Sequence, residues 1–215
     1  MSYSRSVYFG GRKGGSTKTT TSHLVCLGAI LSKQPAAYVL TDPHRELKEN
    51  GRPYNVMDGR QPQELAKILG AIDTYKNGWW IFDGGGNRPA LDAEMAAQTD
   101  LVILPFRDSE EDVEAVTLDM HAYPNALAWP CAWPTNPKAQ QAAQHLTAAL
   151  ALAFPLRVIS PPLYFVNSAK ELLGASLDNP STPTRKAARR AFDIMTDAFD
   201  THVKQAQDLP TAIAG

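Results

Sequence analysis

Eleven consecutive residues near the start of the chain carry the types that bind phosphate: Gly10-Gly11-Arg12-Lys13-Gly14-Gly15-Ser16-Thr17-Lys18-Thr19-Thr20. Glycines let backbone N–H groups turn inward around anionic oxygens. Lys18 can then reach the β- and γ-phosphates of a nucleotide, and the Thr19 hydroxyl can ligate Mg2+. The run is close to G-x-x-x-x-G-K-[ST], with Gly11 as the first glycine although it stands one residue further from Lys18 than that spacing gives, and with a departure at the second glycine. Thr17 stands at the second glycine, where a positive φ would strain a β-branched side chain. Two carboxylates also end apolar runs. Asp83 closes Trp80-Ile81-Phe82 ahead of Gly84-Gly85-Gly86-Asn87, and suits a group beside Mg2+. Asp42 follows Val39-Leu40-Thr41 and precedes Pro43. An ordinary turn aspartate is the plainer reading of either acid alone.

These groups need elements to position them. Apolar runs at 6–9, 37–41, 79–82 and 101–105 are the main strands, with an edge strand at 53–58 and a short one at 157–159 before Pro161-Pro162. Helical spacing covers 19–31, 64–72, 91–97, 110–121, 139–153, 168–173 and 184–206. Ser109 is placed to cap the fourth of these, with acids in its first turn. Residues 127–134 are apolar, but Pro130 and Pro134 argue against a regular central strand. Residues 179–183 are the best loop or hinge candidate. The alternation predicts an α/β fold: one domain over 1–215, with a mainly parallel twisted sheet covered by helices on both faces. The glycine loop falls between the first strand and first helix, where a helix N-terminus adds its positive end.

Composition narrows the function. There are 21 basic and 22 acidic residues, a net charge of −1, which excludes a wholly basic nucleic-acid coat but not a local patch. Such a patch exists: Arg185, Lys186, Arg189 and Arg190 share one side of the last helix and could meet phosphate backbone. A solvated face with pairs such as Arg189–Asp193 is the alternative. Cys26 and Cys131 are too few for a disulfide framework or a four-thiolate metal site, and their scarcity fits a reducing, cytoplasmic setting. Trp129 and Trp133 flank Cys131 on one strand face and are read as core. The five histidines show no metal spacing. The start resembles no targeting segment, and no run approaches the ~18 apolar residues of a membrane span.

Lys13-Gly-Gly-x-x-Lys18-Thr19 resembles the deviant Walker A loop of the ParA/MinD family of ATPases. The likeness extends over roughly 6–199. Val39-Leu40-Thr41-Asp42-Pro43 is similar to the family's Asp-x-Asp-Pro segment, with Leu40 in place of its first acid. Asp83 and the glycines after it resemble its Walker B strand and switch loop. The segments 99–105 and 159–177 resemble later parts of that fold. The resemblance implies ATP and Mg2+ as cofactors, with Gly11, Lys13, Gly14, Gly15, Ser16, Thr17, Lys18, Thr19 and Thr20 around the phosphates. It implies Thr19 and Asp83 at the metal, Asp42 orienting the attacking water, and Asn136 and Pro161 against the adenine. Lys13 would reach the partner's nucleotide in an ATP-formed homodimer. Comparable basic surfaces bind DNA without sequence preference in ParA-type ATPases. The implied function is DNA segregation or cargo positioning, with a partner protein that stimulates hydrolysis. The alternatives are a nucleotide-sensing module with little hydrolysis, a MinD-like positioning ATPase, and a P-loop metabolic enzyme. The end of the chain, 208–215, holds a proline and no basic residue, which argues against a membrane-binding tail.

Overall fold

The computed structural model describes residues 4–15, 17–72, 74 and 77–208, with side chains to residue 202. Ser16 and the last seven residues, on which two of the expectations above fall, lie outside the described residues. Among those described, seven strands form one sheet: β1 Ser4–Phe9, β2 Ala36–Leu40, β3 Asn55–Asp58, β4 Gly78–Asp83, β5 Leu101–Phe106, β6 Ala126–Trp133 and β7 Leu163–Tyr164. Their order is β3-β2-β4-β1-β5-β6-β7, and every pairing is parallel. Parallel neighbours need crossovers, and helices lie in all but one of them: α1 Lys18–Leu31, α2 Pro62–Ala71, α3 Pro89–Gln98, α4 Glu110–Ala122 and α5 Pro137–Ala153; residues 41–54 join β2 to β3 without a helix, and α6 Thr182–Asp208 follows the last strand. A 3-10 helix spans Asn167–Leu173 where the sequence suggested an α-helix.

Strand alternation divides the core into two layers. Val7 and Phe9 of β1, Tyr38 and Leu40 of β2, and Trp129 and Cys131 of β6 face α1 and α6. Tyr8, Val39, Phe82 and Leu104 face the opposite layer, packed on Leu65 of α2, Met95 of α3, Met120 of α4 and Leu150 of α5. Trp129, Cys131 and Trp133 are buried, as expected, and so is Cys26. Helix α1 is buried along most of its length because the sheet lies on one side and α6 on the other. Their approach is close: a Cβ on Gly28 would fall 2.1 Å from the Ala188 carbonyl oxygen. Ser109 caps α4 as predicted, its hydroxyl accepting from the Asp112 N–H at 3.2 Å. No helix among the described residues is long and apolar enough to cross a membrane.

Two strand expectations need correction. Residues 126–133 do form a strand, despite Pro130. Pro130 pairs with the last residue of β5, Phe106, while β7 joins only from Cys131, so the missing N–H interrupts the middle of neither ladder. A register shift between Cys131 and Trp133, with Ala132 at φ 51°, absorbs the irregularity. The expected strand at 157–159 is reduced to a single bridge between Val158 and Ala128. Pro161 and Pro162 cannot donate to a ladder, and regular pairing resumes only at Leu163–Tyr164. Residues 179–183 are only partly a loop, because α6 starts at Thr182 with Pro183 in its first turn.

Candidate functional site

The glycine-rich loop bridges the end of β1 and the start of α1, at the C-terminal edge of a parallel sheet where ligands bind in open α/β folds. Neighbouring segments pin it. Gly10 N–H donates to the Ile103 carbonyl (3.0 Å), and Asn87 N–H to the Arg12 carbonyl (3.0 Å). Asp119 of α4, which is buried, accepts from the Arg12 backbone N–H at 2.9 Å and from its Nε at 2.7 Å. Lys18 is also buried, and its ammonium donates to the carbonyls of Lys13 (2.8 Å) and Gly11 (3.2 Å). Burial lowers its pKa, while Asp83, Asp92, Asp119 and Asp42 act in the other direction. Lys13 places its own ammonium outside, against Glu111 of α4.

Thr17 takes φ 70°, ψ 7°, the left-handed conformation that the glycine of the general pattern would adopt freely. Its hydroxyl lies 3.4 Å from that of Thr21, and burial pushes the Cys131 thiol up to about 12 against the opposing pull of these two threonines.

A cavity of about 290 Å3 opens in front of the loop. Its lining includes Gly14, Gly15, Thr17, Lys18, Thr19 and Thr20 from the loop and α1, Asp42 and Arg45 after β2, and Gly84 and Gly86 after β4. The sheet thus gathers the predicted phosphate, water and switch residues around one space. Asp42 lines the cavity, and its carboxylate accepts from the His44 N–H (3.0 Å) and lies 3.5 Å from Arg45 Nε. The glycines after Asp83 allow close packing. A Cβ on Gly84 would meet the Tyr8 hydroxyl at 2.4 Å, and one on Gly86 would come 3.1 Å from Gly14 N.

Asp83 is fully buried behind this cavity. One carboxylate oxygen accepts from the Tyr38 hydroxyl at 2.7 Å; the other, Oδ1, is buried and accepts no hydrogen bond. Burial raises its pKa to about 6, against the opposing pull of Tyr38, Thr19 and more distant cations. A buried carboxylate oxygen without a donor, beside the Thr19 hydroxyl, is the donor set a hard divalent cation takes. Gly14 and Gly15 have open space where a Cβ would sit, so the loop offers bare backbone to phosphate oxygens. The residues present therefore fit a Mg2+–nucleotide, with Thr19 and Asp83 toward the metal and Lys18 toward the phosphates. Mg2+, when bound, neutralises charge on the phosphate oxygens.

Other predicted residues lie apart. Asn136 uses its side chain to cap α5, accepting from Lys138 N–H (3.0 Å) and Ala139 N–H (3.3 Å). Pro161 is exposed, and its carbonyl is 3.4 Å from Trp129 Nε1. Neither lines the cavity that holds Lys18. Arg185, Lys186, Arg189 and Arg190 are all exposed on α6, and none is in an ion pair among the described residues; Arg190 lies over the Tyr164 ring at 5.6 Å. Sequence reasoning missed Tyr38, Asp119, Asp92 and Glu111. Asp92 of α3 is buried and accepts from the Tyr8 hydroxyl, tying the helix after the glycine segment to β1. All four act across elements, so no local spacing marks them.

No protein-family model matches the chain, and no curated protein matches it in sequence. Its fold does match solved structures. An ATP complex of McdA from Cyanothece superposes with TM-score 0.61 at 14% identity, over 99% of this chain and 100% of the other. The pNOB8 ParA bound to nonspecific DNA gives 0.57 at 12% identity, over 96% and 100%. A cobyrinic acid a,c-diamide synthase from Mycobacterium smegmatis, with bound ADP and magnesium, gives 0.60 at 14% identity, over 97% and 99%. At such identities the likeness is one of fold, and this fold hosts more than one chemistry. The chain folds as the ParA/MinD-type P-loop ATPases do, with the glycine loop, Asp42 and Asp83 together at one end of the sheet.

Proposed function

We propose that this protein is a ParA-type ATPase for DNA segregation or cargo positioning. ATP and Mg2+ join two copies face to face, and the dimer binds DNA without sequence preference. Hydrolysis, stimulated by a partner protein, releases it. The observation that carries the reading is the loop: Lys18 is buried on the carbonyls of Gly11 and Lys13, and a second lysine, Lys13, stands at its rim with its charge outside. The exposed basic side of α6 supports the DNA half, as does the shared fold with a ParA bound to nonspecific DNA. In this reading Lys18 holds the β/γ-phosphates, Asp42 orients water, and Asn136 and Pro161 border the adenine. A nucleotide-sensing module with little hydrolysis is the second reading, favoured by the left-handed Thr17 and by apolar Leu40 directly across the sheet from Asp83.

Size analysis with no nucleotide, ADP and ATP, each with and without DNA, tests the proposal. The expected result is a monomer without nucleotide or with ADP, a dimer with ATP, and a DNA complex only with ATP. A wild type that stays monomeric with ATP removes the dimer and its coupling to DNA. Lys18→Ala should lose ATP binding by about 100-fold or more, roughly 2.7 kcal/mol.

A further inference from the structure

Asp83 sits in a place that should hold a carboxylate badly. Its register partner on β2 is Leu40, which offers nothing polar, and the residue is fully buried. Without a donor on one side, nothing would distinguish its two oxygens by hydrogen bonding. Tyr38, two residues before Leu40 and on the same face of β2, supplies a donor from further along the strand: its hydroxyl meets Asp83 Oδ2 at 2.7 Å, while the Thr19 hydroxyl stands beside the same carboxylate. That bond assigns the two oxygens different tasks. Oδ2 is occupied, and Oδ1 is left without a hydrogen-bond partner.

The tyrosine is itself held. Its ring stacks on His23 of α1, with centroids 4.1 Å apart and planes at 17°. His23 Nδ1 is 2.9 Å from the Tyr54 hydroxyl, which fixes the imidazole from the far side. Tyr38 and His23 are both buried, at 3% and 5% exposure, so neither ring has freedom to swing. Burial pushes His23 down to about 3, so it stays neutral and stacks as an uncharged ring.

We propose that Tyr38 is a positioning residue for Asp83, holding its carboxylate so that Oδ1 faces the Mg2+ that accompanies the nucleotide. This rests on the nucleotide reading above. Tyr38 touches neither phosphate nor metal and acts through Asp83 alone. Groups that orient a metal's carboxylate in this way typically carry about 10–100-fold in metal affinity.

The test is Tyr38→Phe, which keeps the ring, its packing and the His23 stack and removes only the donor. Binding of ATPγS is measured by calorimetry in EDTA and across a Mg2+ titration, on wild type, Tyr38→Phe, Asp83→Asn and the double variant. Thermal melting is followed on each. Tyr38→Phe should leave the EDTA affinity within about twofold and raise the Mg2+ needed for half-maximal tightening by about 10-fold. In the Asp83→Asn background the same change should add nothing, because the effect passes through that carboxylate. An unchanged Mg2+ midpoint in a folded Tyr38→Phe overturns the proposal, as does an equal loss in both backgrounds. A wild type that binds no ATPγS at all overturns the nucleotide reading and this inference with it. A wild type with normal Mg2+ dependence that Tyr38→Phe retains overturns only the inference.

Discussion

Thr17 spends conformational energy where the general phosphate loop spends none. A β-branched residue at φ 70° is disfavoured by roughly 1–2 kcal/mol, and its hydroxyl contact with Thr21 offsets part of that. Thr17→Gly relieves the strain but adds freedom to the unfolded chain, so its melting temperature should stay level or rise slightly. Thr17→Val keeps the strain, loses the hydroxyl and should melt lower; a valine variant as stable as wild type would show that the hydroxyl contact contributes nothing. Asp83 gives a pH-dependent case. Its carboxyl is raised from 3.8 to about 6, so between those values the native state holds a proton that the unfolded state has released. Without metal, stability should therefore fall as pH rises from about 4 to 6, by up to about 3 kcal/mol, and stay reduced above. Asp83→Asn should raise the metal-free melting temperature at pH 8 more than at pH 4, while losing the Mg2+ dependence of nucleotide binding. Equal shifts at both pH values would mean that the buried charge is not what costs stability.

At the scale of an element, α6 shows one periodicity serving two purposes. Thr184, Ala187, Ala188, Ala191, Phe192, Met195 and Phe199 are buried, and Phe192 and Phe199 meet Trp79 edge-on at 5.5 and 5.2 Å. The same spacing turns Arg185, Lys186, Arg189 and Arg190 outward, and the Arg189–Asp193 pair that would have neutralised part of the face does not form. Replacing the four with Ala should lower DNA affinity on every sequence and leave ATP binding intact. Affinity of the wild-type ATP complex should fall with salt by a log–log slope of about −0.9 per phosphate contact, and the variant's slope should be flatter. Retention of both affinity and slope would move the DNA site to another surface.

The whole molecule matters most for Lys13. In a single copy its ammonium rests on Glu111, an exposed pair that water and salt weaken. The pair raises the lysine's pKa and lowers that of the glutamate, so both stay charged near neutrality. Engagement of a partner's nucleotide would exchange Glu111 for phosphate. Lys13→Ala should therefore bind ATP and remain monomeric, as measured by size analysis with ATP. Normal dimerisation of that variant would remove the assignment of Lys13 to the partner's nucleotide.

The glycine-rich turn between β1 and α1, the exposed basic face of α6 and the Ser109 cap were legible in the sequence because each is local. Their residues lie within a few positions of one another, and a single strand–loop–helix or helical period relates them. The alternation of strands and helices likewise determined a parallel sheet with two helical layers. Non-local pairing decided the rest. Pro130 is compatible with a strand only because β5 ends and β7 begins beside it. The pair of prolines at 161 and 162 moves regular pairing from 157–159 to Leu163–Tyr164. Asp83 gains its donor from Tyr38 because β2 pairs with β4 in the register that sets Leu40 against Asp83. Asp119, 107 residues from Arg12, reaches the glycine-rich loop because α4 packs beside β5. Such contacts depend on which strands become neighbours and in what register, and packing of the complete chain sets both.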